Sequence, residues 1–127
     1  MTESADFDLA AAGLRADGPG LERWMEVLAA KLQDTLPSHT TVSRRPRRLL
    51  SKRKRLLTLE VSLGAVVYGS QRTPAGFETW RERQVGGITI KRERLETAPW
   101  VGGLTDELQW AAAHSAEAAG ALESLLG

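Results

Sequence analysis

The sequence predicts an α+β fold, a two-layer sandwich in which an antiparallel meander of four or five strands carries an N-terminal and a C-terminal helix on one face. Three observations predict it. Apolar residues recur at three- and four-residue spacing between Leu21 and Leu36, and again after Pro99. Between those stretches the apolar period drops to two, the signature of strands with one buried and one wet face. The strand-like runs are separated by breaks that contain Gly or Pro, short enough for hairpins and too short for crossover helices. The chain of 127 residues is 42% hydrophobic and 26% charged. That length suits one domain, residues 1–127, with enough chain to bury roughly two-thirds of its unfolded surface.

Residues 1–18 read as a loosely attached N-terminal segment. Asp6 to Ala16 forms at most a short helix, closed by Asp17-Gly18-Pro19-Gly20. The first long helix is expected over 19–36, where Leu21, Trp24, Met25, Leu28, Leu32 and Leu36 make one stripe and Glu22, Glu26 and Asp34 lie off it. Pro37 ends it. Thr40 to Ser43 is a short first strand. Leu57, Leu59, Val61 and Leu63 alternate with Thr58, Glu60 and Ser62 in the next. Gly64 turns the chain into Ala65 to Tyr68, Gln71 to Gly76 forms a second turn before Phe77 to Val85, and Gly86-Gly87 allows a bend before Ile88 to Lys91. A single closing helix is expected over 99–126, with Thr97 as its cap and Pro99 in its first turn. Its main stripe comprises Val101, Leu104, Leu108, Ala111, Ser115, Ala119, Leu122 and Leu126. The expected core is Trp24, Leu28, Leu32, Leu57, Leu59, Val61, Ile88, Ile90, Leu104, Leu108 and Leu122.

Trp110 and His114 fall off the main stripe of the closing helix, beside Ala121 and Leu125. Two occupants fit that flank: the N-terminal stretch with Phe7, Leu9 and Leu14, or a second copy of the chain. Trp110, His114 and Leu125 are accordingly the expected self-association residues, exposed Trp being enriched at interfaces.

The formal net charge of +1 conceals a block structure. Residues 1–43 carry three basic and seven acidic side chains, a net of −4. Residues 44–94 carry fourteen basic and four acidic ones, a net of +10, and residues 95–127 carry five acids and no Lys or Arg. Eight cations fall within the twelve residues 44–55: Arg44, Arg45, Arg47, Arg48, Lys52, Arg53, Lys54 and Arg55. Like charges this dense stay solvated unless an anion meets them. The run is therefore either a solvated loop tip or a contact, and is expected to form the first and longest hairpin loop.

Chemistry beyond charge is sparse. There is no Cys, which excludes disulfides, thiol nucleophiles and thiolate metal sites. Of two histidines, His39 follows a helix breaker beside Ser38, and His114 sits among alanines. Glu78 and Glu82 flank Trp80 on one strand face, roughly 13 Å apart, too far to share a proton. They read as surface ion-pair partners of Arg72, Arg81 and Arg83 nearby. Gly86-Gly87 and Gly102-Gly103 lack a nucleotide-binding context. No catalytic residue, metal site or cofactor is expected, and the chain reads as a non-catalytic binding or adaptor protein.

The favoured partner of the basic run is an acidic protein surface, with nucleic acid as the alternative and an anionic membrane surface as the second. Acidic blocks on both flanks would repel a long polyanion more than a small acidic patch, whereas cations around Leu49-Leu50 suit a leaflet. Zero Cys, the acidic stretch Met1 to Asp6 and the lack of a long apolar run suggest a cytoplasmic protein. The preference for Arg over Lys suggests a GC-rich bacterial genome. The layout of helix, meander and helix loosely resembles that of small bacterial secretion chaperones and other dimeric adaptors; the likeness is of layout alone and implies no functional residue.

Overall fold

The computed structural model describes residues 18–46, 54–114 and 116–126. The expected helical stretch before Asp17 and the hairpin tip lie outside the described residues. Helix α1 (Gly18–Thr35) leads through a single 3-10 turn (Pro37–His39) into five strands. These are β1 (Thr40–Pro46), β2 (Lys54–Leu63), β3 (Val66–Thr73), β4 (Gly76–Val85) and β5 (Ile88–Leu95). Helices α2 (Thr97–Ala112) and α3 (Ala116–Leu126) close the chain. The sheet is an antiparallel meander in the order β1-β2-β3-β4-β5, and the helices pack on it as an α+β sandwich.

Each boundary has a local cause. Leu36 still donates its N–H to Leu32 O at 2.7 Å, but Pro37 has no N–H with which to extend the helix. Gly86 and Gly87 both have positive φ, 59° and 81°, the two-residue hairpin turn whose twist matches that of the strands. Glu96, rather than Thr97, precedes the first turn of α2, and its carbonyl accepts from Trp100 N at 3.0 Å. Pro99 thus occupies the third helical position, where the missing N–H still costs nothing.

The core lies between the sheet and the helices. Trp24, Leu28 and Leu32 of α1, Leu59 and Val61 of β2, and Leu104 and Leu108 of α2 are buried as expected, with Leu122 partly buried against them. Trp100 is the largest fully enclosed side chain. Its indole N–H donates to Trp80 O at 3.0 Å, and its ring meets Tyr68 edge-on at 6.2 Å. Gly103 provides the room, since a Cβ there would lie 2.6 Å from the Tyr68 hydroxyl.

Three expectations are corrected. First, Leu57 is only half-buried, and Leu56 takes the core position. Ser43 opposes Thr58 while Arg44 opposes Leu56, so Leu57 has no partner on β1. This β-bulge inverts the phase of β2 toward its N-terminal end. Second, Ile88 and Ile90 are 69% and 59% exposed on the edge strand β5. Ile88 opposes Val85, itself 62% exposed, and Ile90 is the extra residue of a bulge between Thr89 and Lys91, so neither joins the cluster packed against the helices. Third, the closing helix is two helices. Ala113 and His114 donate backbone N–H groups to Trp110 O and Ala111 O, tightening the end of α2. Ala118, Ala121 and Leu125 then enter the core. Those positions are about 100° out of phase with Val101, Leu104 and Leu108, so one straight helix could not bury both sets.

Trp80 lies flat on the backbone of β3. A Cβ at Gly69 would meet its indole at 2.4 Å, so only glycine fits beneath the ring. The Arg92 guanidinium covers the other side, 4.2 Å from the ring centroid, and the indole N–H donates to Glu82 Oε1 at 3.2 Å. Trp80 is buried as a result, although no described helix covers that face of the sheet.

The bulge makes a testable distinction between neighbours. Leu56→Ala and Leu59→Ala should each lower unfolding free energy by about 2–5 kcal/mol, and Leu57→Ala by clearly less, measured by urea titration. Equal losses at Leu56 and Leu57 would contradict the inverted phase.

Candidate functional site

The two ends of the basic run belong to the paired strands β1 and β2. Arg44 and Arg45 belong to β1, and Lys54 and Arg55 to β2, so the ladder continues into the charged segment that the sequence suggests as loop. Arg47, Arg48, Lys52 and Arg53, together with Leu49 and Leu50, lie outside the described residues. Arg45 pairs directly with Arg55 and Pro46 with Lys54. Opposed like charges destabilise a ladder, and neither Arg45 nor Arg55 is paired with a carboxylate among the described residues.

Arg44 has a different role. Its Nη1 donates to Glu26 Oε1 at 2.6 Å, clamping the hairpin to α1. The other oxygen of Glu26 accepts the backbone N–H of Leu56 at 2.7 Å, which stabilises the backbone beside the bulge. Arg72 of β3 completes the group. Its Nε donates to Leu56 O at 2.6 Å, its Nη1 lies 3.2 Å from Glu22 Oε2, and its guanidinium rests on the Phe77 ring. Nη2 of Arg72 is buried without a hydrogen-bond partner.

Burial pushes the Glu26 carboxyl up, but the hydrogen bonds from Arg44 and Leu56 N–H and the charges of Arg44 and Arg72 outweigh it. The group is held below its ordinary value of 4.5. Glu22 and Glu26 were legible as acids one turn apart, off the apolar stripe of α1. That Glu26 grips a hairpin eighteen and thirty residues away, and that Glu22 meets Arg72 fifty residues away, was not.

A cleft of about 340 Å³ opens beside this network, with Arg45, Arg55 and Arg72 in its walls. Of the four described cations of the basic run, Arg45 and Arg55 line it, and Arg44 and Lys54 do not. The remaining candidates do not join it. Trp110 is 65% exposed and stacks on His114 at 4.4 Å between ring centroids, with His114 Nδ1 3.0 Å from Trp110 O. Leu125 is 2% exposed and belongs to the core, so it takes no part in that patch, because the break between α2 and α3 turns it inward. Glu78 approaches Arg94 at 3.9 Å, and Glu82 accepts from Trp80 and from Thr89 Oγ1 at 2.9 Å. Both carboxylates serve the outer face of the sheet, and Arg72, expected near them, turns to α1 instead.

Among the described residues no three His, Asp or Glu side chains are grouped to hold a metal ion, and no helix is long and apolar enough to cross a membrane. Comparison with protein-family models, curated proteins and solved structures finds no match to this chain.

The clamp predicts an acid limit to stability. Glu26 titrates lower folded than unfolded, as does Glu93, whose carboxylate is held down by its hydrogen bond and ion pair with Arg81. Their stabilisation is present above about pH 4.5 and is lost as pH falls through the lower folded values. Urea midpoints should therefore drop between pH 5 and pH 3, and less steeply in Glu26→Gln. At neutral pH, Glu26→Ala should cost about 1–3 kcal/mol by leaving the Leu56 N–H without its acceptor.

Proposed function

We propose that the chain is a non-catalytic binding or adaptor protein of the cytoplasm that uses the basic hairpin 44–55 to engage an acidic protein surface. The observation that carries this reading is the Arg45–Arg55 pair. Two arginines occupy directly opposed ladder positions and neither is paired with a carboxylate among the described residues, an arrangement that an external anion stabilises. The Glu26 clamp supports the reading further, since it fixes the base of the hairpin and leaves the remaining cations for a partner. The acidic blocks that flank the run in the sequence, net −4 over residues 1–43 and five acids without Lys or Arg over residues 95–127, disfavour a long polyanion running past it.

Binding should be measured against polyglutamate, random-sequence DNA and RNA, and anionic vesicles, each at two salt concentrations. The control is an Arg45/Arg47/Arg48→Ala variant that retains the Arg44 clamp. Polyglutamate binding is expected to weaken with salt and to fall at least tenfold in the variant. Tighter binding to duplex DNA, with a log–log salt slope of about −0.9 per phosphate neutralised, would favour the nucleic-acid reading instead. Vesicle binding that depends on Leu49 and Leu50 would favour the membrane reading.

The exposed Trp110–His114 stack supports self-association as a second part of the reading, because an indole this open is a common interface anchor. Sedimentation equilibrium at micromolar concentration should show a dimer that Trp110→Ala weakens. A monomer at every concentration would remove this part and leave the hairpin reading intact.

A further inference from the structure

The geometry points to the cleft at the hairpin base as a receptor for a carboxylate side chain flanked by an apolar residue, presented by an acidic protein partner. The inference rests on the hairpin reading above and specifies where the partner is gripped. The cleft, about 340 Å³, lies at the small end of the range of ligand-sized sites and holds a side chain with part of its neighbour.

Three features select the ligand. Arg45 and Arg55 line the cleft from directly opposed ladder positions, and no acidic side chain lines it among the described residues. A planar carboxylate matches a guanidinium fork through two parallel hydrogen bonds. Arg72 is 11% exposed and is braced by Leu56 O, Glu22 and the Phe77 ring, so it supplies a fixed wall. Its charge is largely answered by Glu22 and Glu26, which leaves the unbalanced charge with Arg45 and Arg55. Leu57 and Pro74 make part of the wall apolar. Leu57 is the bulge residue freed from the core, and its half-buried side chain gains contact if an aliphatic residue docks beside it. A nucleic-acid backbone offers no such residue next to its charge.

The test uses the full chain and fluorescence anisotropy. The probe is a labelled, terminally blocked peptide of three Glu-Leu-Glu-Glu repeats; the comparisons are the same peptide with Ser for Leu and a twelve-nucleotide oligothymidylate. The Leu peptide is expected to bind several-fold tighter than the Ser peptide and the oligonucleotide. Arg45→Glu should reduce its affinity at least tenfold. Because that substitution places opposite charges across the ladder with Arg55, the thermal midpoint should not fall, which separates lost binding from lost folding. Arg55→Gln, which leaves Arg45 in place, should give a smaller loss. The tip variant Arg47→Ser/Arg48→Ser should lose only a few-fold.

If Arg45→Glu binds like the wild type while the tip variant fails, the cleft is overturned and the hairpin reading survives. If neither variant changes peptide binding, both are overturned. Equal affinity for the Leu and Ser peptides overturns the apolar part of the site, and oligothymidylate binding tighter than either peptide overturns the carboxylate.

Discussion

The carboxylate of Glu26 reaches from α1 to two strands, accepting from Arg44 on β1 and from the backbone of Leu56 on β2. A backbone N–H beside a bulge has lost its regular ladder environment, and a half-buried donor of this kind needs an acceptor from outside the sheet. Glu26 supplies it. The same carboxylate draws in Arg72, which in turn satisfies the Leu56 carbonyl. The local phase inversion of β2, the seating of Leu56 in the core and the anchoring of Arg44 to α1 are therefore set together. An acid, two arginines and one backbone residue couple packing to presentation of charge.

The two faces of the sheet solve burial differently. On the helix side, large side chains from three helices interlock around Trp100 and Tyr68. On the other side the strands cover themselves. The Trp80 ring lies on bare Gly69 backbone and is capped by Arg92, and the Glu82 carboxylate holds its N–H. An indole between a glycine and a guanidinium gains both apolar burial and a cation–π contact without requiring another layer.

Much of this was legible from the residues. The stripe of Leu21, Trp24, Leu28 and Leu32 located α1 to within a residue at each end, because Pro37 and the glycines before Leu21 punctuate it. The meander was legible because the β2–β3, β3–β4 and β4–β5 turns each contain Gly or Pro. Two kinds of information were not local. Alternation marks a face of a strand but does not say how far along it the helices reach or where a bulge breaks its phase, so Ile88 and Ile90 read as core when Leu95 is the residue of β5 that packs there. Nor does alternation announce a bulge, which depends on the partner strand and on Glu26 thirty residues away. The break after Ala112 has no Gly or Pro to signal it. It is imposed by the different directions in which Leu108 and Leu125 must point. For the site, the cations were plain, but their division was not: Arg44 is structural, Arg45 and Arg55 are left facing each other, and Arg72, which drew no notice as part of the site, forms its wall.

The edge strand β5 has a consequence for behaviour in solution. It presents Ile88 and Ile90 beside unpaired backbone groups, a template onto which another chain's strand could add. Lys91, Arg92 and Arg94 follow on the same strand, so two such edges repel each other as they approach. That protection is electrostatic and reaches only as far as the Debye length, about 10 Å at 0.1 M salt and about 3 Å at 1 M. The colloidal stability of the protein is thus tied to ionic strength through one strand: dilute buffer keeps the edges apart, and concentrated salt removes the repulsion while leaving the isoleucines in place.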